Sequence, residues 1–69
     1  MNKKQYIASL IKDRLEATNM MKKQFAYEMR VTPSVVTKWV SGKHNFTIDT
    51  LVKIERVLRI TIIPLLNTR

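Results

Sequence analysis

The stretch from Met21 to Leu51 constrains this chain more than any other, because it reads as two short helices joined by a tight turn, then a glycine loop and the start of another helix. Its pivot is Thr32-Pro33. Thr is a preferred helix N-cap, and Pro, with φ preset and no N–H to leave unpaired, suits the first helical position. The helix that follows carries Val36, Trp39 and Val40 on one side and Ser34, Thr37 and Lys38 on the other. An anchored inner face and an outer face of small polar and cationic groups suit a DNA major groove.

Helical signals continue on both sides. Tyr6, Ile7, Leu10, Ile11 and Leu15 recur at one-, three- and four-residue spacings, which predicts a helix from about Lys3 to Ala17 with Asn19 as a left-handed stop. Phe25, Ala26 and Met29 form the inner stripe of the next helix, which Lys22 opens. The only glycine, Gly42, marks where a positive φ is expected. Thr47 is an N-cap for a further helix with Asp49 in its first turn and Ile48, Leu51, Ile54, Val57 and Leu58 as its buried stripe. Met20, Met21 and Met29 read as gap-filling core. The tail Ile60-Thr61-Ile62-Ile63-Pro64-Leu65-Leu66 is dense in β-branched residues. Either Thr61 caps a short helix with Pro64 in its first turn, or residues 60–63 are extended. The fold class is therefore all-α. No repeat, low-complexity stretch or linker divides the chain, so residues 1–69 are expected to form one domain.

Thirteen Lys and Arg against five Asp and Glu leave a formal charge of +8 on 69 residues. Such a chain favours polyanions, because each neutralised phosphate releases condensed counterions. A solvated cationic surface, or attachment to anionic lipid through helix 1, is the alternative reading of the charge. The lipid reading needs the apolar stripe of helix 1 exposed, whereas a packed helical domain needs it as core. No apolar run approaches the roughly 20 residues of a membrane span, and nothing resembles a secretory leader, so a cytoplasmic protein is expected. The acidic residues Asp13, Glu16, Glu28, Asp49 and Glu55 are scattered, without a partner His or Cys or a glycine-rich phosphate loop. An enzyme is not indicated. With one His and no Cys, neither a metal site nor a cofactor is expected. Trp39 reads as a core anchor, and His44 as an exposed loop residue.

The run Phe25-Ala26-Tyr27-Glu28-Met29-Arg30-Val31-Thr32-Pro33, continuing through Trp39 to Ser41-Gly42-Lys43, resembles the phage-repressor (Cro-type) helix-turn-helix family. The likeness extends over about residues 6 to 66 and includes Leu51-Val52-Lys53-Ile54. It implies a compact five-helix, lambda-repressor-like bundle in which helices 2 and 3 form the helix-turn-helix and the last helix is short or partly extended. It also implies a sequence-specific, double-stranded-DNA-binding transcriptional regulator, a repressor that reads the major groove with residues 32–40. The alternative within the resemblance is an antitoxin, whose main partner is a toxin and whose DNA binding serves autoregulation.

Carried over position by position, the resemblance puts base contacts at Pro33, Ser34, Thr37 and Lys38. It puts phosphate contacts at Lys22, Lys23, Thr32, Gly42, Lys43 and His44. Two of these have independent support. Lys38 projects from the outer face and can donate to guanine O6 and N7, while Gly42 and Lys43 offer backbone N–H groups and an ammonium to a phosphate. Lys22 and Lys23 sit at a helix N-terminus, where the dipole disfavours cations, which hints at a functional reason.

The departures are also informative. Pro33 offers only apolar contact, and Met21 cannot cap helix 2. Arg30 and Arg59 stand where the family often has glycine, so Arg30 is expected at positive φ with about 1 kcal/mol of strain. Leu15 and Val40 replace an ion pair by two apolar residues, an exchange that is often neutral or favourable. Finally, one short tail cannot bury five large aliphatic side chains. Ile60, Ile62, Ile63, Leu65 and Leu66 are therefore expected to form a homodimer interface, or the seat of a toxin.

Overall fold

A computed structural model describes residues 2–66, except the side chains of 65 and 66. Four helices follow one another: α1 (Lys3–Ala17), α2 (Lys22–Met29), α3 (Pro33–Trp39) and α4 (Ile48–Leu58). A single helical turn, Ile63–Leu66, comes last. No strand occurs among the described residues, and none of their helices is long and apolar enough to cross a membrane.

Local chemistry sets these boundaries. At the start of α1 the Gln5 N–H donates to Asn2 Oδ1 at 2.8 Å, and the Asn2 N–H donates back to Gln5 Oε1 at 3.4 Å. Thr47 Oγ1 accepts the Thr50 N–H at 3.2 Å and so caps α4. Thr32 occupies the N-cap position of α3 without using its hydroxyl; Pro33 and the Thr32 carbonyl, which accepts from Val35 N at 3.0 Å, start that helix instead. Three helices end alike. Asn19 (φ 55°), Arg30 (φ 60°) and Arg59 (φ 55°) turn left-handed, and the next N–H closes back to Leu15, Ala26 and Glu55 carbonyls at 2.9, 2.9 and 3.2 Å.

The helices enclose one core. α2 packs on α3 and α4, and α1 and the terminal turn pack on α4. Ile11, Phe25, Val36, Ile54 and Ile62 are its largest fully buried side chains, and Phe25 meets Trp39 edge-to-face at 5.9 Å. Leu15 is buried and Val40 half-buried against the core, as expected of two apolar residues standing in for an ion pair. Long cations close helix ends from outside. Arg14 Nε donates to the Leu58 carbonyl at 2.9 Å, and Lys53 Nζ to the Met29 carbonyl at 3.3 Å. Among the described residues, no Lys or Arg lies in ion-pair range of an Asp or Glu.

Several expected core positions fall elsewhere. Ala8 takes the inner place on α1, leaving Tyr6 and Leu10 half-buried. Ile48 is 62% exposed because it opens α4 ahead of the packed turn, and Met21 is 72% exposed because it precedes α2.

The tail departs most. Thr61 caps nothing there. The Ile62 and Ile63 N–H groups instead donate to Glu55 Oε2, at 2.6 and 2.9 Å, so a carboxylate from α4 caps the terminal turn. Held this way, Ile62 is fully buried in its own domain and cannot contribute to an interface as expected. Ile60 and Ile63 are half-buried against the core, and the side chains of Leu65 and Leu66 lie outside the described residues.

Candidate nucleic-acid interface

α3 lies at the centre of the candidate interface because its two sides differ sharply. Val36 and Trp39 are buried, which fixes the helix on α2, while Pro33, Ser34, Thr37 and Lys38 are exposed together on the far side. Thr37 Oγ1 donates to the Pro33 carbonyl at 3.2 Å, so its proton is engaged but its oxygen can still accept. The Lys38 ammonium has no partner among the described residues and is free to reach outward. Thr32, next to this face, has an exposed hydroxyl that is likewise unengaged.

The loop after α3 is built around Gly42. Its φ of 85° suits glycine, and an added Cβ would meet Gln5 Cγ at 3.3 Å, so both the backbone and α1 exclude a larger residue. Ser41 then organises the loop. Its hydroxyl donates to the Lys38 carbonyl at 2.6 Å and accepts the Lys43 N–H at 3.2 Å. Of the two backbone donors expected here, the Lys43 N–H is therefore already used, and Lys43 offers its exposed ammonium alone. The Gly42 N–H has no partner among the described residues.

His44 is not the exposed loop residue expected. It is half-buried, edge-on to Phe46 at 4.8 Å and 6.4 Å from Trp39, which also lies 6.1 Å from Phe46. These rings pin the loop to the core under α3. The result is that Lys38, Ser41, Lys43 and His44 line one shallow hollow.

Lys22 and Lys23 open α2, whose first turn has no side-chain cap, because Met21 cannot provide one. Uncapped N–H groups and the positive end of the helix dipole make such a terminus receptive to a phosphate. The two lysines diverge. Lys22 borders a groove shared with Lys12, Glu16 and Asn19 of the α1 end, whereas Lys23 lies with Met21, Gln24 and Tyr27 on the other flank. Lys12 is thus a further cation at this border, one not among the contacts expected from the sequence. The signal for it was its helical spacing of three and four to Leu15 and Glu16, which turns it toward the start of α2. Among the described residues no three His, Asp or Glu gather to hold a metal ion.

A family model described as helix-turn-helix matches residues 11–65. No curated protein and no solved structure matches the chain.

Proposed function

We infer, for a chain that belongs to the Cro/C1-type helix-turn-helix family of DNA-binding transcription regulators, the role of a repressor that reads an operator with α3. The observation that carries this reading is the division of α3: buried Val36 and Trp39 fix the helix, and Ser34, Thr37 and Lys38 stand exposed beside the Lys43 loop. Lys38 donates to guanine, Ser34 and Thr37 contact base edges, and Pro33 packs on a thymine methyl. Lys22, Lys23, Thr32, the Gly42 N–H and Lys43 hold phosphates and set the register, with His44 at their border. Residues 1–69 act as one domain, in the cytoplasm, and the Ile63–Leu66 turn is the reduced last helix of a five-helix bundle.

Specific reading calls for two such helices. A two-fold homodimer through the segment after Arg59 places the α3 pair about 34 Å apart, one turn of duplex. The domain, with extents of 34 × 22 × 21 Å, has a size that allows this spacing between touching copies. Among the described side chains of the segment, Ile60 and Ile63 are the aliphatic residues partly open to a second copy. In the antitoxin reading the same residues receive a toxin, and the free protein is a monomer.

Selection from random duplexes tests this function and is expected to return a palindrome. Lys38→Ala should cost about 1–3 kcal/mol on the preferred site and relax one base position. Lys22→Ala and Lys43→Ala should weaken all duplexes alike and each reduce the salt slope by about one. Unchanged affinity and preference in Lys38→Ala would place the reading face elsewhere.

A further inference from the structure

The cations of this chain divide largely by type, although Lys53 sits near the arginines with its Nζ on the Met29 carbonyl. Lysines (Lys22, Lys23, Lys38 and Lys43) supply the charge around α3 and the start of α2. The arginines lie elsewhere. Arg14 is committed to the Leu58 carbonyl, and Arg69 is outside the described residues. The remaining three, Arg30, Arg56 and Arg59, line a single open groove with Tyr27, Glu28 and Val57, where the C-terminal ends of α2 and α4 lie side by side. Among the described residues their guanidiniums have no hydrogen bond or ion pair, with Glu28 or any other group.

Arg30 and Arg59 carry a second signal. Both hold left-handed backbones, at φ 60° and 55°, where glycine would sit without strain. Asn19, the third such residue, is of a type that tolerates this conformation. Among the described residues, the two positions at which strain is accepted to keep a long side chain are both arginine, and both border this groove. Tyr27 beside them is 83% exposed. Arginine and tyrosine are the side chains that most often dominate binding at protein interfaces, and a guanidinium grips a carboxylate through two parallel hydrogen bonds.

We propose that this groove docks an acidic segment of a partner protein, a stretch of Asp and Glu carboxylates held by Arg30, Arg56 and Arg59 with Tyr27 packed alongside. Charge selects the partner. A second copy of this chain, at +8, brings like charge. A nucleic-acid backbone brings only acceptors and phosphate charge against the Glu28 carboxylate. A polypeptide brings carboxylates for the guanidiniums and backbone N–H donors for Glu28. The groove also lies at the opposite end of α2 from Lys22, about 10 Å along the helix axis at 1.5 Å per residue, so partner and duplex can bind together.

Titration of the full chain with a short capped peptide of Asp and Glu, at physiological salt and followed by backbone-amide NMR, tests this docking; the Asn/Gln peptide is the control. Saturable shifts are expected around Tyr27, Arg30, Val57 and Arg59, with none from the control. The Arg56→Lys, Arg59→Lys double variant keeps the charge but loses the forked donors. It should weaken binding by at least about tenfold, the equivalent of one charge-assisted hydrogen bond, while Lys38→Ala leaves it within about twofold. A short duplex should leave the peptide in place. Shifts centred on Lys22, Lys38 and Lys43, equal binding by the lysine variant, displacement by duplex, or failure to saturate would each overturn the assignment.

Discussion

Replacing Arg30 by glycine isolates the cost of a strained helix ending. Arg30 ends α2 at φ 60°, its side chain is exposed, and it makes no side-chain bond among the described residues, so truncation removes no packing. The left-handed conformation costs an L-residue about 1–2 kcal/mol. Glycine is free of that cost but gives up about 0.5–1 kcal/mol in unfolded-chain entropy. The difference favours Arg30→Gly by roughly 0.5–1 kcal/mol, which in a domain of this size raises Tm by about 2–8 °C. Thermal and urea unfolding followed by far-UV circular dichroism would measure it. Losing one charge from a +8 chain also relieves repulsion, so Arg30→Ala is the control: alanine removes the charge and keeps the strain. Glycine above both alanine and wild type is the expected order. If alanine stabilises as much as glycine, repulsion is the cause and the strain argument fails. If glycine destabilises at unchanged m-value, the arginine side chain holds the turn in some other way. The same change at Arg59 should add to the first within about 0.5 kcal/mol.

The tail offers two further tests. Ile62→Ala should cost about 2–5 kcal/mol of stability without changing association, since its side chain is wholly internal. Ile63→Asp should instead abolish a dimer seen by sedimentation equilibrium at micromolar concentration. A dimer that survives Ile63→Asp would remove the tail from the interface. Glu55→Ala should cost about 1.5–3 kcal/mol, as befits hydrogen bonds to a charged group, and should speed hydrogen exchange at the Ile62 and Ile63 amides. Unaltered protection there would mean that the carboxylate is dispensable to the turn.

Where one residue type sufficed to punctuate the backbone, the sequence was readable. Asn19, Gly42 and Thr47 each announce a local conformation that needs little tertiary help, and the structure finds each in it. Arg30 at positive φ was legible only from the family pattern, because arginine has no local reason to turn left-handed. What the sequence could not display was capping from a distance. Glu55 reaches seven and eight residues forward to Ile62 and Ile63, and that reach buries a side chain that the tail's composition marks as surplus. The His44–Phe46–Trp39 cluster was hidden likewise, since Gly42 decides where the loop returns. On the candidate interface, periodicity gave the outward side of α3. Ser41 claiming the Lys43 N–H, and Lys12 coming alongside Lys22, depend on how the segments meet. The arginine groove joins residues far apart in the chain, through the packing of α2 on α4.

The lack of attractive ion pairs among the described residues makes ionic strength a selective control on this protein. Its core is apolar, and its cations are spent on carbonyls or left in solvent, so added salt has no intramolecular pair to weaken there. Screening instead relieves the self-repulsion of a +8 chain, and folding should hold level or strengthen as salt rises. Duplex affinity behaves in the opposite sense. With Lys22, Lys23 and Lys43 each neutralising one phosphate, as proposed, the log–log salt slope is about −2.7 per domain. Occupancy of a DNA site can therefore be dialled down through a range of salt over which the folded population does not fall.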